Sequence, residues 1–170
     1  MTLKLAPMLW LPLCSLLAQS FAGHECRAFR SEYRNSFKRQ LEFIVSKKPR
    51  YAWGGSNDIS SGLDCSGYLY LAAKWAGVPG VTRTTACRMA LGLGGWTSRP
   101  VAIDASQDCD LVFWTFSPTR QNGHVGALLK AAPKDRVVAH ASTLRGVIAE
   151  PLNKFPAKSL RGLRRLTIGD

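Results

Sequence analysis

The stretch GLDCSG at residues 62–67 decides how this chain is organised, because it places a cysteine where a helix should begin. Asp64 is a favoured N-cap residue, so we expect Cys65 to be the first residue of the helix that follows. The apolar run over residues 68–76 predicts a buried helix, and Gly77 is a typical residue to end it. The segment therefore predicts a thiol held at a helix N-terminus.

A thiol in this position indicates nucleophilic chemistry. The positive end of the helix dipole and the free N–H groups of the first turn both stabilise a thiolate. An ordinary cysteine has a pKa of about 8.5, and lowering it by about three units would make the thiolate the major species at neutral pH. Taken alone, the segment fits a small buried core cysteine equally well, because it contains no base.

The base is expected among the three histidines, which are His24, His124 and His140. His24 lies in a polar N-terminal stretch, and we assign it no role. His124 follows an Asn-Gly turn signal and opens a predicted strand, while His140 lies in a second β-rich run. Either histidine alone is more typical of a hydrogen-bonded structural residue. Together with the helix-capping thiol, the order Cys65, His124, His140 predicts a nucleophile, a base and a residue that orients the base.

The order of hydrophobic patterns predicts an α+β fold. Residues 26–44 carry apolar side chains at helical spacing, and this helix should end before Pro49. A short second helix is expected after the nucleophile helix, over residues 84–91. Five strands are then predicted, over residues 110–116, 124–130, 136–142, 146–150 and 160–167. Helices followed by consecutive strands favour helices packed on an antiparallel sheet.

Five groups of residues also occur in a recognisable order between about residue 45 and residue 165. They are YAWGG and GLDCSG (51–55 and 62–67), RTT (83–85), DLVFW (110–114), GHVG (123–126), and HAS with GV (140–142 and 146–147). In this order and spacing they resemble the NlpC/P60 family of papain-like cysteine peptidases, which act on cell walls. One departure is Cys109, which stands where the family usually has glycine before the DLV strand.

The resemblance implies a papain-like fold and a set of site residues. Cys65 would be the nucleophile, His124 the base and His140 the third polar residue, accepting a hydrogen bond from His124. Tyr51 would point its hydroxyl into the site as a second oxyanion donor, and Ser66 would belong to the oxyanion and substrate-binding turn. No cofactor is implied. A metal site is not expected either, because no Cys-x-x-Cys or His-x-x-x-His spacing occurs.

The function implied by the resemblance is hydrolysis of peptidoglycan stem peptides through a thioester, often between D-glutamate and the diamino acid. Two other functions stay open. One is a thiol acyltransferase or amidase on lipid or small amide substrates, because thioester chemistry alone does not distinguish water from another acceptor. The other is a non-catalytic wall-binding module that keeps the fold. The expected partner is peptidoglycan or its peptide fragments. Whether a cognate inhibitor protein exists is open, and we expect a monomer.

The N-terminus resembles a secretory signal. Residues 1–22 combine a short basic region, an apolar run and a small-x-small cleavage site. The apolar run is short and interrupted by proline, so we expect cleavage rather than a membrane span. This predicts a secreted or periplasmic protein with one domain over residues 23–170.

The remaining cysteines predict one disulfide. If Cys65 stays a free thiol, Cys26, Cys87 and Cys109 allow one bridge and one spare thiol. Sequence does not choose among the three pairings, although the short Cys87–Cys109 loop is the one we favour. Three buried thiols without a bridge are the alternative.

The formal net charge of +12 predicts attraction to anionic polymers such as peptidoglycan. A basic surface that only aids solubility is an equally good interpretation. Nucleic acid is not an expected partner, because the basic cluster over residues 154–165 contains a single aromatic residue and offers no stacking platform.

Overall fold

A computed structural model describes residues 27–28, 31–116 and 121–168. Within these ranges the chain forms three α-helices and seven strands. In chain order they are β1 Arg27–Ala28, α1 Ser31–Lys47, α2 Cys65–Trp75, α3 Ala86–Ala90, β2 Ser98–Val101, β3 Leu111–Trp114, β4 His124–Lys130, β5 Val137–Ser142, β6 Gly146–Pro151 and β7 Leu160–Ile168. After β1, the predicted succession of helices and then strands is confirmed.

All the strands belong to one antiparallel sheet. Its order is β1-β7-β3-β4-β5-β6, and β2 pairs with β7 as well. The α+β fold is therefore confirmed. Strand β2 was not predicted, because Arg99 and Pro100 are exposed on it and its sequence is typical of a loop. Proline is tolerated there because β2 lies at an edge of the pairing pattern.

Helix α1 begins later than its apolar spacing predicts. The helix starts at Ser31, and Arg27–Ala28 pair with the end of β7 instead. The prediction of a helix from Cys26 is therefore wrong at this end, because pairing with a strand 140 residues away in the chain leaves no signal in local periodicity. The apolar stripe itself is confirmed, since Phe37, Leu41 and Ile44 are fully buried.

The two faces of the sheet carry different cores. Val125 and Ala127 of β4 face the helices and pack in the larger cluster with α1 and α2. Leu128 of β4 and Val138 of β5 face the other way, in a smaller cluster with Trp114. Because side chains alternate along a strand, His124 lies on the same face as Leu128 and His140 on the same face as Val138, which is this second face.

The predicted Cys87–Cys109 disulfide is wrong. Both residues are free thiols: Cys87 is exposed on α3, while Cys109 is buried with its Sγ 3.5 Å from the Arg34 carbonyl oxygen on α1. Cys109 has a φ of 72°, which glycine adopts without strain and which accounts for the glycine usual in the family. Cys26 and the predicted signal over residues 1–22 lie outside the described residues. Within the described ranges, none of the helices is long and apolar enough to cross a membrane.

Candidate active site

The nucleophile helix begins where the sequence predicts. Asp64 is the N-cap of α2, and its Oδ1 accepts a hydrogen bond from the Gly67 N–H at 2.6 Å. Gly55 lies directly over this turn, because its carbonyl oxygen accepts from the Asp64 N–H at 3.1 Å. A Cβ on Gly67 would sit 1.9 Å from that oxygen. The motif therefore has glycine at position 67, because the Gly55 backbone approaches too closely for any side chain there.

Arg83 stabilises the helix cap through side-chain contacts. Its Nη2 lies 2.5 Å from Asp64 Oδ2, and its Nη1 donates to Ser66 Oγ at 2.8 Å. The Ser66 hydroxyl in turn donates to Asp64 Oδ1 at 3.0 Å. The hydroxyl of Ser66 is therefore engaged in the cap, and a role in the oxyanion turn is left to its backbone. The RTT motif signalled Arg83, although its contact with the cap was not predicted.

Tyr51 belongs to the segment that flanks the helix start. It forms an isolated parallel bridge with Leu63, and the Leu63 N–H donates to the Arg50 carbonyl oxygen at 3.0 Å. Tyr51 is partly buried against the main core. This places the residue beside the strand-like stretch that leads into Cys65, while the oxyanion role of its hydroxyl stays a prediction.

Cys65 is buried at the junction of α2 and β4, with only 8% of its surface exposed. Burial raises the pKa of the Cys65 thiol to about 11, although the Val125 N–H donates to the sulfur and stabilises the thiolate. The Asp64 carboxylate contributes to this net rise, and the Ser66 N–H opposes it. The predicted lowering of the pKa is therefore reversed: desolvation outweighs the backbone N–H donors that stabilise the thiolate, and the resting thiol is protonated at neutral pH.

The contact with the Val125 backbone holds the thiol at the start of β4. Val125 follows His124 at the start of β4, so the sulfur lies against the strand that carries the imidazole. His124 Nε2 lies 2.9 Å from His140 Nδ1. The structure therefore brings His124 and His140 into direct contact and holds Cys65 at the same strand end.

A fourth residue, Glu150, forms a hydrogen bond with His140 and was not predicted from the sequence. Its Oε1 lies 2.9 Å from His140 Nε2, and its side chain is only 8% exposed. Glu150 lies opposite Val138 in the β5–β6 pairing and so shares the face of His140. An acidic residue inside a predicted strand was a visible signal, but its use depends on a register that the sequence does not show.

The Glu150 carboxylate determines which ring nitrogen carries the proton in both His140 and His124. An ionised carboxylate only accepts hydrogen bonds, so His140 must carry its proton on Nε2. His140 Nδ1 is then an acceptor, and His124 must donate to it from Nε2. The lone pair on His124 Nδ1 is left free to take a proton.

Both imidazoles are neutral at pH 7. The pKa of His124 is lowered to about 3, mainly by burial and to a smaller extent by the neighbouring His140. Burial also lowers the pKa of His140, although the hydrogen bond to Glu150 opposes this shift. A protonated thiol and a neutral imidazole are the resting states from which general-base activation starts, in contrast to a preformed ion pair.

Glycine and aromatic residues shape the histidine pair. Gly126 lies opposite His140, two residues after His124, and a Cβ there would be 2.6 Å from the Ala139 carbonyl oxygen. The missing side chain leaves room for the two rings to meet. Trp114 packs beside them, with its ring centroid 5.5 Å from that of His124 and 6.4 Å from that of His140.

A sequence model of the NlpC/P60 family matches residues 48–165, and the chain belongs to this family. No curated protein matches the chain in sequence. The match confirms the resemblance carried by the nucleophile and histidine motifs.

Solved structures share the fold. An NLP/P60-family protein from Staphylococcus aureus, described as similar to lipoprotein, is 20% identical with a TM-score of 0.65 over 91% of this chain and 48% of its own. This chain therefore spans about half of that protein. The NlpC/p60 domain of the peptidoglycan hydrolase SagA is also 20% identical, with a TM-score of 0.55 over 78% of this chain and 97% of its own.

A third structural neighbour has no catalytic activity by its description. RipD from Mycobacterium tuberculosis is called a non-catalytic NlpC/p60 domain protein adapted to peptidoglycan binding. It is 12% identical, with a TM-score of 0.50 over 76% of this chain and 95% of its own. At these identities the three structures establish the fold alone.

The raised pKa of Cys65 predicts a distinctive alkylation profile. We expect the rate of iodoacetamide modification at Cys65 to rise about tenfold per unit between pH 7 and pH 9, because the thiolate fraction grows in that proportion below the pKa. Peptide mapping by mass spectrometry in a Cys87→Ser background measures this rate without the exposed Cys87 thiol. A rate that is already constant below pH 7 would show a preformed thiolate and contradict the assignment.

Proposed function

We propose that this protein is a cysteine peptidase that hydrolyses amide bonds in peptidoglycan stem peptides through a thioester. The observation that carries the proposal is the continuous hydrogen-bonded chain from Glu150 through His140 to His124. It leaves one acceptor nitrogen of His124 free, at the strand end that also holds Cys65. General-base activation of a nucleophile requires hydrogen bonds that run in this direction, because they leave the base with an unprotonated nitrogen.

Attack begins with a protonated thiol. His124 Nδ1 takes the Cys65 proton as the sulfur forms a bond to the peptide carbonyl carbon, and the carbonyl π electrons move onto oxygen. The Cys65 N–H at the start of α2 is placed to donate to this oxyanion, since the first N–H groups of a helix have no partner within it. The Tyr51 hydroxyl is the proposed second donor.

Collapse of the tetrahedral intermediate breaks the C–N bond. The His124 imidazolium gives its Nδ1 proton to the leaving amine, which departs and leaves a thioester on Cys65. Neutral His124 then removes a proton from water as the water attacks the thioester, and the proton passes to the departing sulfur. His140 and Glu150 hold the ring in one orientation and stabilise the transient imidazolium.

The proposed substrate is the bond between D-glutamate and the diamino acid of the stem peptide. Family membership supports a peptidoglycan substrate, and SagA, which shares the fold, is described as a peptidoglycan hydrolase. Action on cell walls agrees with the secretory signal that the sequence predicts over residues 1–22. The net charge of +12 favours association with an anionic wall polymer.

A non-catalytic wall-binding module is the second candidate, because RipD shares this fold and is described as such a protein. The intact set of Cys65, His124, His140 and Glu150 supports catalysis over this alternative. If the protein only bound peptidoglycan, the buried Glu150 carboxylate would have a structural role and no chemical one. A thiol acyltransferase would use the same residues, and only the products distinguish it from a hydrolase.

Digestion of purified peptidoglycan tests the proposal directly. We expect mass spectrometry to detect fragments that end in D-glutamate, and Cys65→Ala and His124→Ala should abolish their release. His140→Asn should retain more activity than His140→Ala, because an amide oxygen still accepts from the His124 ring. If the wild-type protein binds peptidoglycan but releases no peptidoglycan fragments, the result would favour the binding module. If it transfers the acyl group to an added amine and does not hydrolyse the bond, the result would favour the transferase.

The role of Glu150 predicts a graded series of variants. Glu150→Gln keeps an acceptor oxygen for the His140 N–H, so kcat/KM should fall about tenfold. Glu150→Ala removes the acceptor, and the loss should reach about a hundredfold. Hydrolysis of a soluble stem peptide measures both, with Asp135→Asn as the control because it changes an exposed ion pair away from the histidines. Equal activity in Glu150→Ala and wild type would remove Glu150 from the mechanism.

A further inference from the structure

Three aromatic side chains surround the His124–His140 pair. Phe155 packs on His140, with the ring centroids 5.1 Å apart and the ring planes at 77° to each other. The ring centroid of Phe116 lies 5.7 Å from that of His124. Trp114 contacts both imidazoles and also packs on Phe155, with a centroid separation of 4.7 Å. Apolar rings therefore border the hydrogen bond between the two imidazoles.

The backbone determines where the Phe155 ring lies. The Phe155 N–H donates to the Leu152 carbonyl oxygen at 3.2 Å, and Leu152 is itself buried. The Leu152 N–H donates in turn to the Arg136 carbonyl oxygen at 2.9 Å, next to the start of β5. Pro156 follows Phe155 and favours the extended backbone that Phe155 adopts, with φ −86° and ψ 136°. The ring is thus carried by a segment that is tied to the sheet.

Phe155 also separates two cavities. One, of about 500 Å³, is lined by both histidines and by Arg145 and Lys154. Water reaches this cavity, since the side chains of Arg145 and Lys154 are 56% and 59% exposed. The other cavity, of about 600 Å³, is lined by Phe155 and Trp114 but by neither histidine. Removing the Phe155 ring would join the two cavities beside His140, which is only 4% exposed.

Water beside His140 would compete with the hydrogen bond between the imidazoles. His124 Nε2 has to donate to His140 Nδ1 for His124 Nδ1 to be the nitrogen that takes a proton. A water molecule accepts from Nε2 as readily and in many directions, so it would no longer fix the ring. The same hydrogen bond is stronger in apolar surroundings than in water. Excluding water therefore keeps the base in one orientation.

We propose that Phe155 is a positioning residue for the base: its ring excludes water from the His124–His140 hydrogen bond and so holds His124 with Nδ1 available. The inference rests on the proposed function and adds a residue that acts through the histidines rather than on the substrate. Trp114 supports Phe155 through the contact between their rings. Water exclusion requires an apolar side chain of sufficient size, so leucine can replace phenylalanine and alanine cannot.

Water at the imidazole pair would also change its protonation. Burial is the main cause of the lowered pKa of both histidines, and hydration would raise the pKa towards the ordinary value of 6.5. Activity that depends on an unprotonated base is then lost as the pH falls through the raised pKa. Changing Phe155 leaves the charged and titratable groups around the pair in place, which are Glu150 on β6, Arg145 before that strand, Lys154 after it and Cys65 on α2.

The experiment compares Phe155→Ala and Phe155→Leu with the wild-type protein in hydrolysis of a soluble stem peptide. Phe155→Ala should lower kcat about tenfold and leave KM nearly unchanged, because the base is misoriented. Its kcat/KM should also fall between about pH 7 and pH 5, where that of the wild type stays constant. Phe155→Leu should restore most of kcat and the wild-type pH profile. Phe43→Ala is the matched control, since Phe43 is an exposed aromatic residue of α1 that packs on Trp75.

Histidine NMR separates this inference from the function on which it rests, because it needs no substrate. In protein labelled with ¹⁵N-histidine, Phe155→Ala should raise the pKa of His124 by about one unit or more, and Phe155→Leu should not. If Phe155→Ala does not fold, Phe155→Val takes its place with the same expectations. A wild-type protein that cleaves no peptide would contradict the proposed function, and the titration would still decide the role of Phe155.

Three results would overturn the role of Phe155. One is a His124 pKa that stays the same or falls in Phe155→Ala. Another is an equal loss of kcat in Phe155→Ala and Phe155→Leu, since leucine still excludes water. The third is a loss confined to KM, which would make Phe155 a substrate contact instead of a positioning residue.

Discussion

The hydrogen bond between the buried Glu150 carboxylate and His140 Nε2 is the interaction on which the rest of the site depends. A carboxylate has no proton to donate, so this contact gives the histidine chain a single direction. His140 then accepts from His124, and His124 presents a free lone pair. Burial acts to raise the pKa of Glu150, but the His140 hydrogen bond and the Arg145 guanidinium together lower it below its ordinary value and keep the carboxylate ionised. The strand register thus aligns the three side chains so that His124 Nδ1 is the nitrogen that accepts a proton.

Burial sets the protonation states at the other end. Desolvation raises the pKa of Cys65 and lowers that of His124, so both groups are neutral before the substrate arrives. Charge develops only during attack, where the first turn of α2 and the Glu150–His140 pair can stabilise it. The glycines maintain this geometry: Gly67 allows the Gly55 carbonyl to close over the helix start, and Gly126 leaves space for the two rings.

Local signals predicted much of this architecture. The Asp64 cap, the start of α2 at Cys65 and the five strands from β3 to β7 follow from capping and alternation, which act over a few residues. The pairing of Arg27–Ala28 with β7, strand β2 and the contact between Glu150 and His140 depend on register between distant segments, which leaves little local trace. The separation of Cys87 from Cys109 is likewise tertiary. The thiol pKa was predicted in the wrong direction because the dipole is visible in the sequence and the depth of burial is not.

The tautomers of the two histidines test the central claim most directly. In protein labelled with ¹⁵N-histidine, long-range ¹H–¹⁵N spectra at pH 7 report which ring nitrogen carries the proton. We expect His124 and His140 to be both neutral and both protonated on Nε2, and we expect His140 to lose this preference in Glu150→Ala. A neutral His124 protonated on Nδ1, or an imidazolium at either position, would contradict this expectation.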